Sequence, residues 1–278
     1  MADPVEDQEA ADALQSERQF VLALGGFALH IAGATLVTHE KLPVPRFNFV
    51  EVGRVSPERQ TAFFERALDH YFQRALRPTF RLRPPVPSHL DRGLRSFGFR
   101  PRPDPLVLLG GSGGRSGAES ARYTVRVADR SELDLVASFW TSERERPEFR
   151  SALDTAWSHP NPEERLQPVL ARDGEQVVAA ALVYRYGAAA GLFAVATQPE
   201  ARGRGAASDL VRGVLAQEVA GPGARYWITA DSPRLRARLE LLGFRPLVSF
   251  DQYELPPDAV LAMPPLGPAG PPRWRPPR

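Results

Sequence analysis

Residues 191–207, GLFAVATQPEARGRGAA, constrain the fold more than any other stretch of the chain. The apolar run 192–196 reads as a buried strand, Gln198 and Pro199 break it, and a basic glycine turn, Arg202-Gly203-Arg204-Gly205, follows. A helical pattern then starts at once, with Leu210, Val211, Val214, Leu215 and Val219 on one face. Strand, tight glycine turn and helix in this order form the layout of an anion site. The first helical turn carries N–H groups with no intrahelical acceptor, and the helix dipole adds positive potential there. Gly203 and Gly205 have no Cβ, so a phosphate can approach the backbone closely. A ligand-free glycine- and arginine-rich turn is the plain alternative.

The spacing Arg202-x-x-Gly205-x-Ala207 resembles the (Gln/Arg)-x-x-Gly-x-(Gly/Ala) signature of the GNAT superfamily of N-acetyltransferases. Thr197-x-Pro199-x-x-Arg202-Gly203-x-Gly205 is similar to the wider form of that motif. The resemblance implies that Arg202, Gly203, Arg204, Gly205, Ala206 and Ala207 bind the pyrophosphate of acetyl-CoA. It implies that the preceding strand, through Val195, Ala196 and Thr197, hydrogen-bonds the pantetheine arm. Asp231, after the next strand, is a candidate either for touching the cofactor or for capping the last helix.

Composition narrows the remaining classes. The chain has 278 residues, 43% of them hydrophobic, enough for one large or two small domains. No apolar run is long enough to span a membrane, and the acidic N-terminus lacks the basic region of a signal peptide, so a cytoplasmic protein without membrane attachment is expected. There is no cysteine, which excludes disulfides, thiolate metal sites and a cysteine nucleophile; no metal is expected. The net charge is only +2, so nucleic acid is not an expected partner.

In chain order, residues 1–18 are acidic and read as a frayed helix or a disordered segment. Two apolar runs within 19–38, split by Gly25-Gly26, read as a hairpin. A strand at 47–52, a helix opened by Ser56-Pro57, a strand at 79–82, a helix at 88–97 and a strand at 106–109 follow. GGSGGRSGAES, residues 110–120, reads as a flexible linker and the best domain boundary. Beyond it come a strand at 123–127, a helix capped by Ser131, a helix from about 143 to 157 and two strands joined at Asp173-Gly174. The anion-site stretch, a strand at 226–229, a helix at 233–242 ended by Gly243 and a terminal strand or hairpin at 244–255 complete the pattern. Residues 257–278 are proline-rich and basic, and read as a disordered tail. The expected organisation is therefore an acidic segment 1–18, a domain 19–109, a linker 110–121, a domain 122–256 and a tail 257–278.

The element order over 122–255 resembles the whole GNAT fold, an α/β class with a central mixed sheet flanked by helices. Gly98-Phe99-Arg100-Pro101 returns as Gly243-Phe244-Arg245-Pro246, an internal repeat with an offset of 145 positions. That offset lays the strand 47–52 on 192–197 and the helix 58–76 on 203–221, and brings the Gly25-Gly26 hairpin near Asp173-Gly174, three residues out of register, so the first half reads as a degenerate, N-terminally shortened GNAT-like unit and the chain as a tandem. The segment matching 202–207 is PERQTA, residues 57–62, with no glycine; the first half is not expected to bind CoA.

Acetyl transfer to a primary amine of a small molecule or peptide is the activity this resemblance implies, by direct attack of the amine on the thioester. Leu239 stands where many members carry a tyrosine as acid, and no ionisable residue lies within 191–196, where others carry a glutamate as base. Glu143, Tyr184 and Tyr253 are the remaining catalytic candidates, with a solvated charge run or buried packing as the competing readings. His159 reads as a loop residue. An inactive acyl-CoA-binding sensor or scaffold is the alternative function. Monomer and homodimer both remain open.

Overall fold

The computed structural model describes residues 4–113, 122–140, 145–159, 161 and 164–256. The expected tail and most of the expected linker lie outside the described residues. The chain forms two compact units, and these are not its two halves: one comprises Met1–Gly25 and Val107–Val248, the other Gly26–Leu106 and Ser249–Arg278.

The larger unit begins with α1 (Pro4–Ala23), a continuous helix where a frayed helix or a disordered segment was expected over 1–18. Its acidic first half and the apolar FVLAL run are one amphipathic helix, with Ala13, Leu14, Phe20, Val21 and Leu24 buried. Gly25, at φ +99°, ends it in the left-handed conformation that only glycine adopts without cost. Gly25-Gly26 is therefore a helix end and not the hairpin turn expected. The sheet of this unit has the order β7-β8-β9-β10-β11-β6. Its strands are β6 (Leu106–Ser112), β7 (Thr124–Val127), β8 (Glu164–Asp173), β9 (Gln176–Tyr186), β10 (Ala189–Thr197) and β11 (Arg225–Ala230). All neighbours are antiparallel except β10 and β11, which are parallel.

Helix α6 (Ala206–Ala216) packs Leu210, Val211, Val214 and Leu215 into a core with Val169, Ala181, Leu192 and Ile228. Gly213 lets it approach β7, because a Cβ there would lie 2.6 Å from that of Val125. Helix α7 (Pro233–Glu240) joins the same core through Leu239. Helices α4 (Leu133–Ser138) and α5 (Arg146–Trp157) pack on each other and on β8, and α1 contacts α5, β9 and β10. The turn before α4 is capped by Asp129 in a capping box with Glu132; Ser131, the expected cap, lies inside it.

The expected linker starts too early, because Gly110 and Gly111 belong to β6. They are glycines for packing reasons: a Cβ on Gly110 would meet Leu247 at 2.7 Å, and one on Gly111 would meet Phe244 at 3.1 Å.

The smaller unit repeats the plan. Strands β1 (Phe27–Ile31) and β2 (Ala34–Thr38) form a hairpin whose two-residue turn, Ala32-Gly33, has positive φ at both positions. Then follow β3 (Phe49–Val52), α2 (Gln60–Phe72), β4 (Thr79–Leu82), α3 (Ser88–Ser96) and the short β5 (Arg100–Pro101). Strand β3 runs parallel to β4, and the end of β12 (Arg245–Glu254) is antiparallel to β4. Phe63, Phe64, Phe80, Phe97 and Phe99 pack ring against ring in its core.

The offset of 145 lays α3, starting at 88, on α7, starting at 233, and α2 on α6. The hairpin turn at Gly33 matches the β8–β9 turn at Gly174 by position in the sheet instead. One exchange breaks the sequence order. Beside the parallel pair of the larger unit stands β6, which follows the helices of the first half. Beside the parallel pair of the smaller unit stands the end of β12, which follows those of the second.

Candidate functional site

The centre of the larger unit is the point where its two parallel strands part. Strand β10 pairs with β11 from Ala189↔Arg225 to Leu192↔Ile228 and no further, although the strands run on to Thr197 and Ala230. A bulge in β10 between Phe193 and Ala196 turns it away, with Ala194 at φ +51°, a conformation rare outside glycine. Burial follows the change: 189–193 are buried and 194–197 half-buried. Val195, Ala196 and Thr197 thus line the opening, with backbone groups on the β11 side that no strand satisfies.

The chain leaves β10 through a turn at Pro199–Ala201 and reaches Arg202, whose Nε donates to the Thr197 carbonyl at 3.4 Å. Gly203 and Gly205 have φ of +76° and +92°, so the turn needs glycine at both places. A Cβ on either would meet no atom within 4 Å, so the space in front of the turn is open. Helix α6 starts at Ala206 and its first intrahelical bond runs from Asp209 N–H to Gly205 O at 2.9 Å. The amides before it point out of the helix end unsatisfied by the helix itself. Arg202 and Arg204 are exposed beside them. Asp209 does not compete for these donors: it is buried and accepts from Arg122 N–H and Arg212 Nη1, both at 2.9 Å.

Asp231 is exposed directly after β11; the cap of α7 is its neighbour Ser232, whose hydroxyl accepts from Leu235 N–H. Leu239 is buried in the core, where its carbonyl accepts from Phe244 N–H at 3.1 Å.

The catalytic candidates are not brought together. Glu143 lies outside the described residues. Tyr253 belongs to the smaller unit, in whose core its hydroxyl donates to Asp91 at 2.8 Å; burial and that carboxylate push it up to about 12. Tyr184 is in the larger unit on β9, opposite Gly191, and fully buried. Its hydroxyl donates to Glu164 Oε2 at 3.0 Å, and burial first, then the carboxylate, raise it far above the usual phenol range. Glu164 also accepts from Asn161 Nδ2 at 3.0 Å and has His159 Nδ1 at 3.9 Å. Sequence reasoning missed Glu164, because an acid at the first position of a strand carries no local signal.

It also missed the aromatic cluster beside the paired part of β10 and β11. Phe20 of α1 stacks on Phe193 at 3.8 Å, and Phe193 meets Trp227 edge-on at 4.9 Å. Gly191 makes room, since a Cβ there would lie within 2.5 Å of both rings.

Among the described residues the smaller unit has no such opening. Strand β3 pairs with β4 over its whole length, Phe49↔Thr79 to Val52↔Leu82. The turn that leads into α2, Pro57–Arg59, starts at a proline with no N–H to offer and holds no glycine. Among the described residues there is no group of three acidic or histidine side chains fit to hold a metal ion, and no helix long and apolar enough to cross a membrane.

Parting parallel strands, a glycine turn at their carboxyl ends and an open helix start form one cleft in a mixed α/β sheet. Residues 113–226 match the family model of the acetyltransferase (GNAT) domain. Solved structures share the fold over most of the chain. A GCN5-related N-acetyltransferase from Kribbella flavida is 16% identical, with a TM-score of 0.61 over 92% of this chain and 97% of that one. One from Sphaerobacter thermophilus is 15% identical, with a TM-score of 0.59 over 81% and 78%. A tandem GNAT protein from the clavulanic acid biosynthesis pathway, solved without AcCoA, is 13% identical, with a TM-score of 0.54 over 81% and 79%. No curated protein matches the chain in sequence. The chemistry of the family is acyl transfer of the N-acetyltransferase type.

Proposed function

We propose that the chain transfers an acetyl group from acetyl-CoA directly to a primary amine of a small molecule or peptide, with the donor held by the larger unit alone. The observation that carries this reading is the parting of β10 from β11 directly ahead of the Gly203–Gly205 turn. Acetyl-CoA supplies the acyl group as a thioester. The amides at the start of α6, with Arg202 and Arg204, receive its pyrophosphate. The free edge of Val195, Ala196 and Thr197 aligns the pantetheine arm as an added strand would, and N–H groups of β10 polarise the thioester carbonyl. As the amine nitrogen bonds to the acyl carbon the C–S bond breaks; the amine loses one proton and the thiolate gains one.

Leu239 offers no proton for that last step. The residues of the cleft therefore act chiefly by holding amine and thioester together and by polarising the carbonyl. The thiol, with a pKa of about 8.5, leaves tolerably at neutral pH without a dedicated acid.

The test is calorimetric titration of CoA into the protein and into Gly205→Asp. That substitution puts a side chain and a negative charge where the pyrophosphate sits, at a φ that disfavours any Cβ. Affinity should fall at least tenfold, about 1.4 kcal/mol. Unchanged affinity in a folded variant overturns the site. A thiol-release assay against aminoglycosides, amino acids, polyamines and peptides should then show acceptor-dependent release for at least one class. CoA binding without release across that panel overturns the catalytic reading in favour of a sensor.

A further inference from the structure

The larger unit contains a pocket of about 310 Å³ that the proposed reaction does not use. It lies under the N-terminal half of α1, over the first residues of β11 and β12 and the last of β6. The β10–β11 opening begins beyond Ile228, so the pocket sits at the other end of β11. Trp227 forms its wall on the side of the opening, with its ring edge against Phe193.

Four charged side chains line the pocket in two opposed rows. Glu9 and Asp12, three residues apart on α1, provide the carboxylates; Arg225 and Arg245, at the starts of two strands, provide the guanidiniums. Arg225 Nη2 donates to Asp12 Oδ2 at 2.6 Å, and Arg245 Nη2 donates to Glu9. These groups are not sealed, with side-chain exposures between 23% and 47%. Pairs this exposed are held weakly and can open to share a ligand. If they served only to tie α1 to the sheet, close packing around them would suffice, whereas the protein keeps a cavity there.

We infer that this pocket is a second ligand site and that it takes a small zwitterion of the free amino-acid kind. The four charges cancel, so nothing there selects a polyanion such as CoA. A neutral ligand leaves both rows to each other, and a ligand with a single charge satisfies one row and strips the other. An α-amino acid presents its carboxylate to Arg225 and Arg245 and its ammonium to Asp12 and Glu9. The volume is at the small end of ligand sites, which suits a molecule of that size.

The experiment is thermal unfolding of the full chain without CoA, in the presence of each proteinogenic L-amino acid at millimolar concentration. At least one should raise the Tm in a concentration-dependent way. Its N-acetyl and its amide derivatives, each lacking one charge, should not. Calorimetry with that amino acid should show binding weakened about tenfold or more in Arg225→Gln and in Glu9→Gln, two separate variants in case one fails to fold. Binding should persist in Gly205→Asp, which separates this site from the donor cleft and makes the outcome independent of acetyl transfer. A Tm unmoved by every amino acid, equal shifts by the singly charged derivatives, or full binding in both pocket variants overturns the inference.

Discussion

Glycine and histidine positions show how far single residues carry the argument. The turn at Gly203 and Gly205 was legible in the sequence because its requirement is local: positive φ and an open approach are properties of the residue itself. His70 was not legible, because its surroundings come from distant segments. It is buried on α2, with Nε2 2.9 Å from the Thr38 hydroxyl. Burial, with Arg74 as a second cause, lowers its pKa from 6.5 to about 4. The folded state then holds fewer protons than the unfolded one between those values. The stabilising effect is complete above pH 6.5 and is lost as pH falls toward 4. By pH 5 the loss is about 2 kcal/mol. Urea unfolding at pH 7 and pH 5 should show that extra decline in the native protein and not in His70→Gln. Parallel declines in the two would show that the ring is not held neutral by the fold.

At the scale of elements, the later half of the chain was read nearly strand for strand, because continuous apolar runs such as those of β9 and β10 end at turn residues and glycines. Helix α1 was misread for a physical reason. Its apolar last turns, FVLAL, satisfy a strand pattern as well as a helical one, and the acidic residues ahead of them hid the continuous helix. What decides between the two is a partner far along the chain: the ring of Phe193, on which Phe20 stacks. Phe20→Ala should therefore destabilise the larger unit by about 3–5 kcal/mol, as removal of a fully buried ring does. The check is the urea midpoint followed by Trp227 fluorescence. A change below about 1 kcal/mol would mean that α1 rests on the sheet without contributing to its core.

For the whole molecule, the two units and the two halves of the sequence are different divisions. The composition around residue 110 suggested a cut, but no local pattern tells which sheet a strand will join, so the exchange of β6 and β12 left no trace in the sequence. Residues 1–113 and 122–278 produced separately each lack a strand that their main sheet requires, and the second fragment lacks α1 as well. Each should be insoluble or unfolded alone and recover native circular dichroism when the two are produced together. Independent folding of either fragment would contradict the exchange. The same feature sets an order in time. Synthesis makes β1 to β5 first, yet the sheet they belong to receives its outer strand only when Ser249–Glu254 emerge. The larger unit has all its strands by then, having taken β6 from the early half. The sheet whose strands are made first is thus the last to be finished, and until then β4 presents a naked edge to whatever nascent chain is nearby.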